Sequence, residues 1–306
     1  MNIPEFLPLS IGSACLLMLL GAQCGQQPSP AVPGKSAVAH TLDSIPYDLS
    51  APAQTIQLGS ADLSEISALS PTYMPGVFLA VADERGEVFF IDSKQNGAIS
   101  KRIPFRENGD FEGVEMVDSV IFCLKSDGVL FEIRQWDQAK PQVREYATAL
   151  TKDNNVEGLG YDAVRQVLLL ACKEDPETDR PRRVYAFDLR TRQLDATPAY
   201  TIDPREVNTR VPYSDEDKKQ HFFSSSGVAV HPLTQDIYLI STALKRLVVL
   251  DHGTGKIRFA TRLDKQVIPQ PEGIAFDPAG NLYLSSEGKG GEGFILVFPY
   301  RGPKGQ

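Results

Sequence analysis

Between Gln270 and Phe298 the apolar positions fall in three short runs separated by two turns. Gly273 to Phe276 favours a strand, Asp277-Pro-Ala-Gly-Asn281 turns, Leu282 to Ser285 alternates, Glu287 to Gly293 turns again, and Phe294 to Phe298 is a third strand. The pattern predicts one antiparallel meander. A single meander cannot bury its own apolar face, so it requires further copies to stack against.

Four other stretches supply them, starting at Ile66-Ser-Ala-Leu69, Phe111-Glu-Gly-Val114, Val156-Glu-Gly-Leu159 and Ser225-Ser-Gly-Val228. Anchored on Ala68, Gly113, Gly158, Gly227 and Gly273, the copies follow one another after 45, 45, 69 and 46 residues. A repeat of about 40–45 residues with several short strands predicts an all-β, five-bladed propeller of four-stranded antiparallel blades. The 24-residue excess in the third interval is too short for a blade and reads as an insertion within Asp195 to Phe223, centred on Pro204 to His221. It is polar and without strand pattern, a surface excursion or a lid. Six blades, using part of that insertion, is the rival count. The last copy shows three strands, and Gln54 to Leu58 offers a fourth that would close the ring and remove exposed edges.

Residues 1–23 stand apart. Ile11 to Ala22 is apolar, ends in small residues and is too short to span a bilayer, so it reads as a signal peptide. Leu20-Gly-Ala-Gln-Cys24 resembles a lipobox, which would lipidate Cys24 and place the protein in a bacterial cell envelope, periplasmic or surface-exposed. Residues 24–53 are rich in Pro, Ser, Ala and Gln and suit a flexible tether, leaving 54–300 for the propeller. The formal charge of −8 and a pI near 5.1 exclude a nucleic-acid partner, whose binding rests on basic residues. Aligning Lys125 with Lys173 sets Cys172 opposite Leu124, so Cys123 and Cys172 should face different ways and stay unbridged as small core residues.

The first strand of each propeller blade lines the central channel, so equivalent positions near its start converge on the axis. The residue before each anchor is Ser67, Glu112, Glu157, Ser226 or Glu272, an oxygen donor in every copy. Carboxylates about 6 Å apart repel by roughly 3 kcal/mol per pair at an effective dielectric of 20. A bound cation, a shared proton or bulk water must offset that, and a hard ion such as Ca2+, tolerant of irregular oxygen cages, is the economical answer. Alternatively each glutamate caps an amide of its own blade. Strict alternation also puts Glu272 on the face of Ile274 and Phe276, which leaves its direction open.

A second set lies at the ends of the second strands: Asp83-Glu84, Lys125, Lys173-Glu174, Thr242 and Glu287. Their mixed sign suits a small polar or phosphorylated ligand, or a solvated turn. Enzyme signatures are thin, with no G-x-S-x-G, H-E-x-x-H or C-x-x-C; of the four histidines His221 alone is placed for chemistry, beside the weak Ser224-Ser-Ser-Gly227 run. A non-catalytic propeller that binds Ca2+ and a small ligand or protein partner is the first reading. A calcium-dependent hydrolase acting on phosphoesters or lactones, with Lys125 or Lys173 holding an anionic group, is the alternative.

The I-S-A-L, F-E-G-V, V-E-G-L and S-S-G-V blade starts, with a lipoprotein-like leader, resemble the SdiA-regulated (YjiK-like) family of bacterial proteins over most of Leu63 to Phe298. The closing P-E-G-I-A-F-D-P-A-G-N-L-Y is also similar to NHL-type propellers. The resemblance implies five blades and a calcium site, and assigns no activity. It carries the metal role onto Glu112, Glu157 and Glu272, which match the E-G pattern, while Ser67 and Ser226 depart from it.

Overall fold

The computed structural model describes residues 42, 44–174, 178–212, 221–288 and 290–302. The expected signal peptide and Cys24 lie outside the described residues. Among those described, no helix is long and apolar enough to cross a membrane.

Five antiparallel sheets form the blades. Blade 1 is β2 (Ile66–Pro71), β3 (Val77–Ala82), β4 (Glu87–Asp92) and β5 (Ala98–Pro104), paired in that order. Blade 2 is β6 (Phe111–Val117), β7 (Val120–Lys125), β8 (Leu130–Arg134) and β9 (Gln142–Tyr146). Blade 3 is β10 (Val156–Asp162), β11 (Val167–Cys172) and β12 (Arg182–Asp188), with an outer strand split into β13 (Gln193–Leu194) and β14 (Tyr200–Ile202), each pairing with a different end of β12. Blade 4 is β15 (Gly227–Val230), β16 (Ile237–Ser241), β17 (Arg246–Leu250) and β18 (Ile257–Arg262). Blade 5 is β19 (Pro271–Phe276), β20 (Leu282–Ser286) and β21 (Phe294–Phe298), completed by β1 (Gln54–Gln57). The fold is the five-bladed propeller that the repeat predicts, and the rival sixth blade is absent among the described residues.

The ring closes as the polar–apolar pattern of Gln54 to Leu58 suggests. β1 pairs antiparallel with β21, from Gln54 opposite Val297 to Gln57 opposite Phe294. Ile56 is the residue that fixes it there, fully buried while its neighbours in β1 are exposed. Covering the edge of β21 removes a row of unpaired backbone groups.

The core is divided by the blades. Buried side chains form five clusters, one at each junction between neighbouring blades, including the one that joins blade 5 back to blade 1 through Ile56, Ile295, Leu69 and Ala80. At the junction of blades 1 and 2, the rings of Phe105, Phe111 and Phe131 stand 5.0–5.8 Å apart in tilted or edge-to-face pairs. Each blade is buried on both faces, which explains why the middle strands read as continuous apolar runs rather than as alternation.

Cys123 and Cys172 are buried and free, as expected, but for a different reason. The register pairs Gly113 with Leu124 and Gly158 with Ala171, so Cys172 is equivalent to Lys125, not to Leu124. Both thiols therefore face the preceding blade, Cys123 in the core of blades 1 and 2 and Cys172 in that of blades 2 and 3. A whole blade separates them.

Two segments differ from the sequence expectation. Pro204–Arg210 forms a helix, α1, with Asp203 accepting from the Arg205 amide (2.8 Å) and Pro204 opening the first turn, a helix start that the polar composition obscured. Val207 is buried with Tyr200, Ile202 and Phe223 between blades 3 and 4, and α1 lies against β18, so this part of the insertion sits at the rim and not over the channel. Residues 213–220 lie outside the described residues. Part of the stretch read as tether is also packed. Tyr47 is buried between blades 4 and 5, donates to the Gly280 carbonyl (2.6 Å) and meets Nε2 of His231 (2.8 Å).

Candidate metal and ligand site at one mouth of the channel

The start of each first strand is bent. Pairing registers slip between Ile66 and Ala68, Phe111 and Gly113, Val156 and Gly158, and Pro271 and Ile274. These are β-bulges, which re-aim one side chain out of the alternation. In three of these four blades the bulge holds a glutamate, which explains how Glu112, Glu157 and Glu272 escape the apolar face that strict alternation assigns them. The small anchors that follow are required by crowding at the axis. A Cβ on Gly113 would come 2.6 Å from Cβ of Leu159 in the next blade, and one on Gly273 would come 2.8 Å from the Leu69 amide nitrogen.

The structure brings the three glutamates into one electrostatic neighbourhood. Burial, then the charges of Glu157, Asp83, Asp110 and Glu272, push Glu112 up to about 10. Burial, then Glu157 and Glu287, raise Glu272 to about 8 against the opposing pull of Lys173 and a hydrogen bond with Thr242. Glu157 is also raised by burial, but less freely, because Lys173 Nζ lies 2.6 Å from its Oε1 and Asn155 Nδ2 donates to the same oxygen at 2.8 Å. Its partners are side chains, not a backbone amide of its blade.

Ser67 and Ser226 behave differently. Ser67 Oγ donates to the Phe111 carbonyl of blade 2 (2.7 Å), and Ser226 Oγ donates to the Pro271 carbonyl of blade 5 (2.9 Å). Each acceptor is the residue just before a ring glutamate. The two serines thus bind neighbouring blades together through backbone, and their hydroxyl protons are engaged there.

The second ring is nearly as read from the sequence, with one shift. Registers make Asp83, Ser126, Lys173, Thr242 and Glu287 equivalent, so Ser126 holds the place assigned to Lys125. Lys125 turns to Asp127 (2.9 Å), and Ser126 donates to Asp110. Thr242 bonds Ser226 Oγ (3.0 Å) and Glu287 bonds Gln270. Glu174 pairs with Arg183. Glu84 borders an open cavity of about 440 Å3 over Asp83 and Asp110.

A third ring escaped notice in the sequence. Two residues before each ring position stands Glu65, Asp110, Asn155, Ser224 or Gln270, each polar and each on the same side of the bulge. The signal was a polar residue at the same offset in all five copies. Asp110 matters most. Oxygens of Asp83, Asp110 and Glu112 lie within 4.8 Å of one another at the junction of blades 1 and 2, the span across which a single large cation reaches all three. Burial and a hydrogen bond with Asp110 lift Asp83 to about 7. On Asp110 burial is outweighed by hydrogen bonds with Asp83, Ser126 and Glu112 and by the charge of Lys125, so its carboxyl falls below the ordinary range. The two neighbouring carboxyls therefore titrate as a pair.

His252 bonds Asp162 (2.7 Å) and His231 is buried in an aromatic cluster; neither adjoins this mouth. His221 is among the described residues and is half-buried.

Residues 46–289 match the family model described as SdiA-regulated. Among solved structures, the chain resembles a glutaminyl cyclase from Myxococcus xanthus at 13% identity and a TM-score of 0.56, over 81% of this chain and 96% of that one. It also resembles a PQQ-bound aldose sugar dehydrogenase from Streptomyces coelicolor (13% identity, TM-score 0.49, 81% and 97% covered) and a luciferin-regenerating enzyme (14%, 0.49, 79% and 80%). At these identities the likeness concerns fold alone.

Proposed function

The chain belongs to the SdiA-regulated family, and from its carboxylate-lined channel mouth we propose that it is a divalent-cation-binding propeller that recognises a small ligand or protein partner without catalysis. The observation that supports this is the convergence of Asp83, Asp110 and Glu112, with Glu157 and Glu272 next to them and Lys173 set among the acids. Ca2+ suits the site better than Mg2+, because the donors come from two blades in irregular geometry and Ca2+ accepts six to eight oxygens. The ligand set shares Glu112 with the Glu112, Glu157, Glu272 ring and takes its other two carboxylates, Asp83 and Asp110, at the junction of blades 1 and 2. Lys173, pushed above the ordinary lysine range by Glu157, Glu272 and Glu112 in spite of burial, keeps its charge and supplies a contact for an anionic group on the ligand.

The protein acts, on this reading, in a bacterial cell envelope, held by a lipid on Cys24. A Cys24→Ser variant should lose metabolic labelling by palmitate and appear in the soluble envelope fraction. Retained label overturns the anchor.

Calorimetric titration of the purified protein with CaCl2 tests the metal site. Asp110→Asn and Asp83→Asn should each weaken binding at least tenfold, and Glu287→Gln should not. Equal affinity in all variants would sink the assignment. A calcium-dependent hydrolase is the second reading, favoured by Glu272, whose carboxyl at about 8 beside Lys173 can exchange a proton near neutrality. Calcium-dependent turnover of p-nitrophenyl phosphate or a simple lactone, lost in Glu272→Gln, would select it.

A further inference from the structure

The opposite mouth of the channel holds a second cavity, of about 460 Å3, within the range that buries small organic ligands. It is built by the ends of all five first strands. Three residues beyond the bulge position in each blade come Ser70, Glu115, Gly160, Ala229 and Ala275, a layer of four small residues and one carboxyl. One step further out, Pro71, Met116, Tyr161, Val230 and Phe276 form a rim, and all five line the cavity. A glutamate in a layer of Gly, Ala and Ser has no packing role that a small residue would not fill better.

Glu115 is buried at the base of this space. Ser70 Oγ donates to its Oε1 at 2.8 Å and takes the Met116 amide at 3.3 Å, which fixes the carboxyl in position across the junction of blades 1 and 2. Burial raises it to about 8 despite the hydrogen bonds from Ser70 and the Met116 amide. The other acids of the lining are Asp118 and Asp277, and among the described residues no Lys, Arg or His lines it. Asp277 is engaged in its own turn, accepting from the Ala279 and Asn281 amides. The rings of Tyr161 and Phe276 add faces that attract cations.

We propose that this second mouth binds a primary ammonium group carried on a compact apolar body, with Glu115 as its counter-ion and the rim of Pro71, Met116, Tyr161, Val230 and Phe276 around the apolar part. The site is separate from the cation site at the other mouth and does not depend on it. A buried carboxyl fixed by a serine releases its proton to solvent as the ammonium enters and so supplies the counter-charge, the surrounding small residues give the room, and the acids of the lining disfavour an anion. Glu115→Gln keeps the shape and the acceptor for Ser70 while removing the charge.

The test is titration calorimetry and saturation-transfer NMR of the full chain with three probes of one shape: cyclohexylammonium, cyclohexanol and cyclohexanecarboxamide. The ammonium should bind at least tenfold more tightly than either neutral probe. Glu115→Gln should weaken it at least tenfold and bring the three probes to similar affinity, while Asp83→Asn leaves it unchanged. Ala229→Val, which narrows the same layer with Glu115 intact, should weaken all three probes and serves if Glu115→Gln fails to fold. No saturable ammonium binding, equal or tighter binding of a neutral probe, ammonium affinity unchanged in both Glu115→Gln and Ala229→Val, or loss in Asp83→Asn alone overturns the proposal.

Discussion

Lys173 and Glu157, which stand 16 residues apart at the ends of adjacent strands β11 and β10, meet at 2.6 Å inside a ring of acids. Glu157 is nearly buried and Lys173 is 29% exposed in its side chain, so the pair is partly screened on the lysine side alone. The ammonium also acts on Glu272 and Glu287, lowering both.

Removing that ammonium should therefore cost stability and help a metal. Lys173→Met leaves Glu157 buried without its counter-charge, a loss of about 1–3 kcal/mol after discounting the fully buried figure for exposure. The double variant Lys173→Met/Glu157→Gln should recover part of it. The same single variant should bind Ca2+ more tightly, since a positive charge leaves the mouth. Urea denaturation and calcium titration read the two effects; looser calcium binding would mean that Lys173 orients the ligands.

The raised acids set a pH trend. Asp83, Glu112 and Glu272 have folded values of about 7, 10 and 8, all above those of an unfolded chain, so the folded state binds more protons. Their contribution to stability is full below pH 4 and declines as pH rises through those values. In EDTA, the melting temperature should fall from pH 5 to pH 9. Ca2+ displaces the protons, so its affinity should rise over the same interval, and at a hundredfold excess over Kd it adds about 2.7 kcal/mol, roughly 5–10 °C in a domain of this size. A melting temperature in EDTA that is flat from pH 5 to 9 would contradict the raised carboxyls.

At the acid end the sign reverses and the residue changes. His231 is fully buried, its Nδ1 accepts from the Leu233 and Thr234 amides (3.1 and 3.0 Å), and burial lowers its pKa to about 4. Stability from the neutral ring is present above the unfolded value near 6.5 and is lost as pH falls toward 4, a range worth up to about 3 kcal/mol. His231→Asn, with an amide oxygen to cap the same turn as Asp277 does in blade 5, should remove that contribution, so that its stability relative to the wild type rises as pH falls from 6.5 to 4 in chemical denaturation.

Ring closure predicts a further result. Ile56 is fully buried at the junction of blades 5 and 1, so Ile56→Ala should cost about 2–4 kcal/mol, while Gln57→Ala on the exposed side of β1 should cost under about 0.5 kcal/mol. Deleting residues 54–57 should expose the edge of β21 and promote self-association, visible by light scattering.

The sequence by itself determined the architecture, because a blade's strands, turns and anchor glycine are local features that recur in the chain at nearly constant spacing. Gly113, Gly158, Gly227 and Gly273 gave the count, and the pattern of Gln54 to Leu58 gave the closure. It also pointed to Glu112, Glu157 and Glu272, since equivalent positions of a ring must meet at its axis. Their direction was decided only by the tertiary structure, because a bulge is a relation between two strands and cannot be seen in one. The same limit misplaced Lys125 by one residue, as register depends on which amide meets which carbonyl. Asp110 joined Asp83 because blades 1 and 2 pack face to face, and Glu115 came to stand alone at its level of the channel because four other blades present small residues there. Those juxtapositions belong to the closed ring, where residues far apart in the chain are held by burial of apolar surface, and no spacing along the sequence encodes the distances between them.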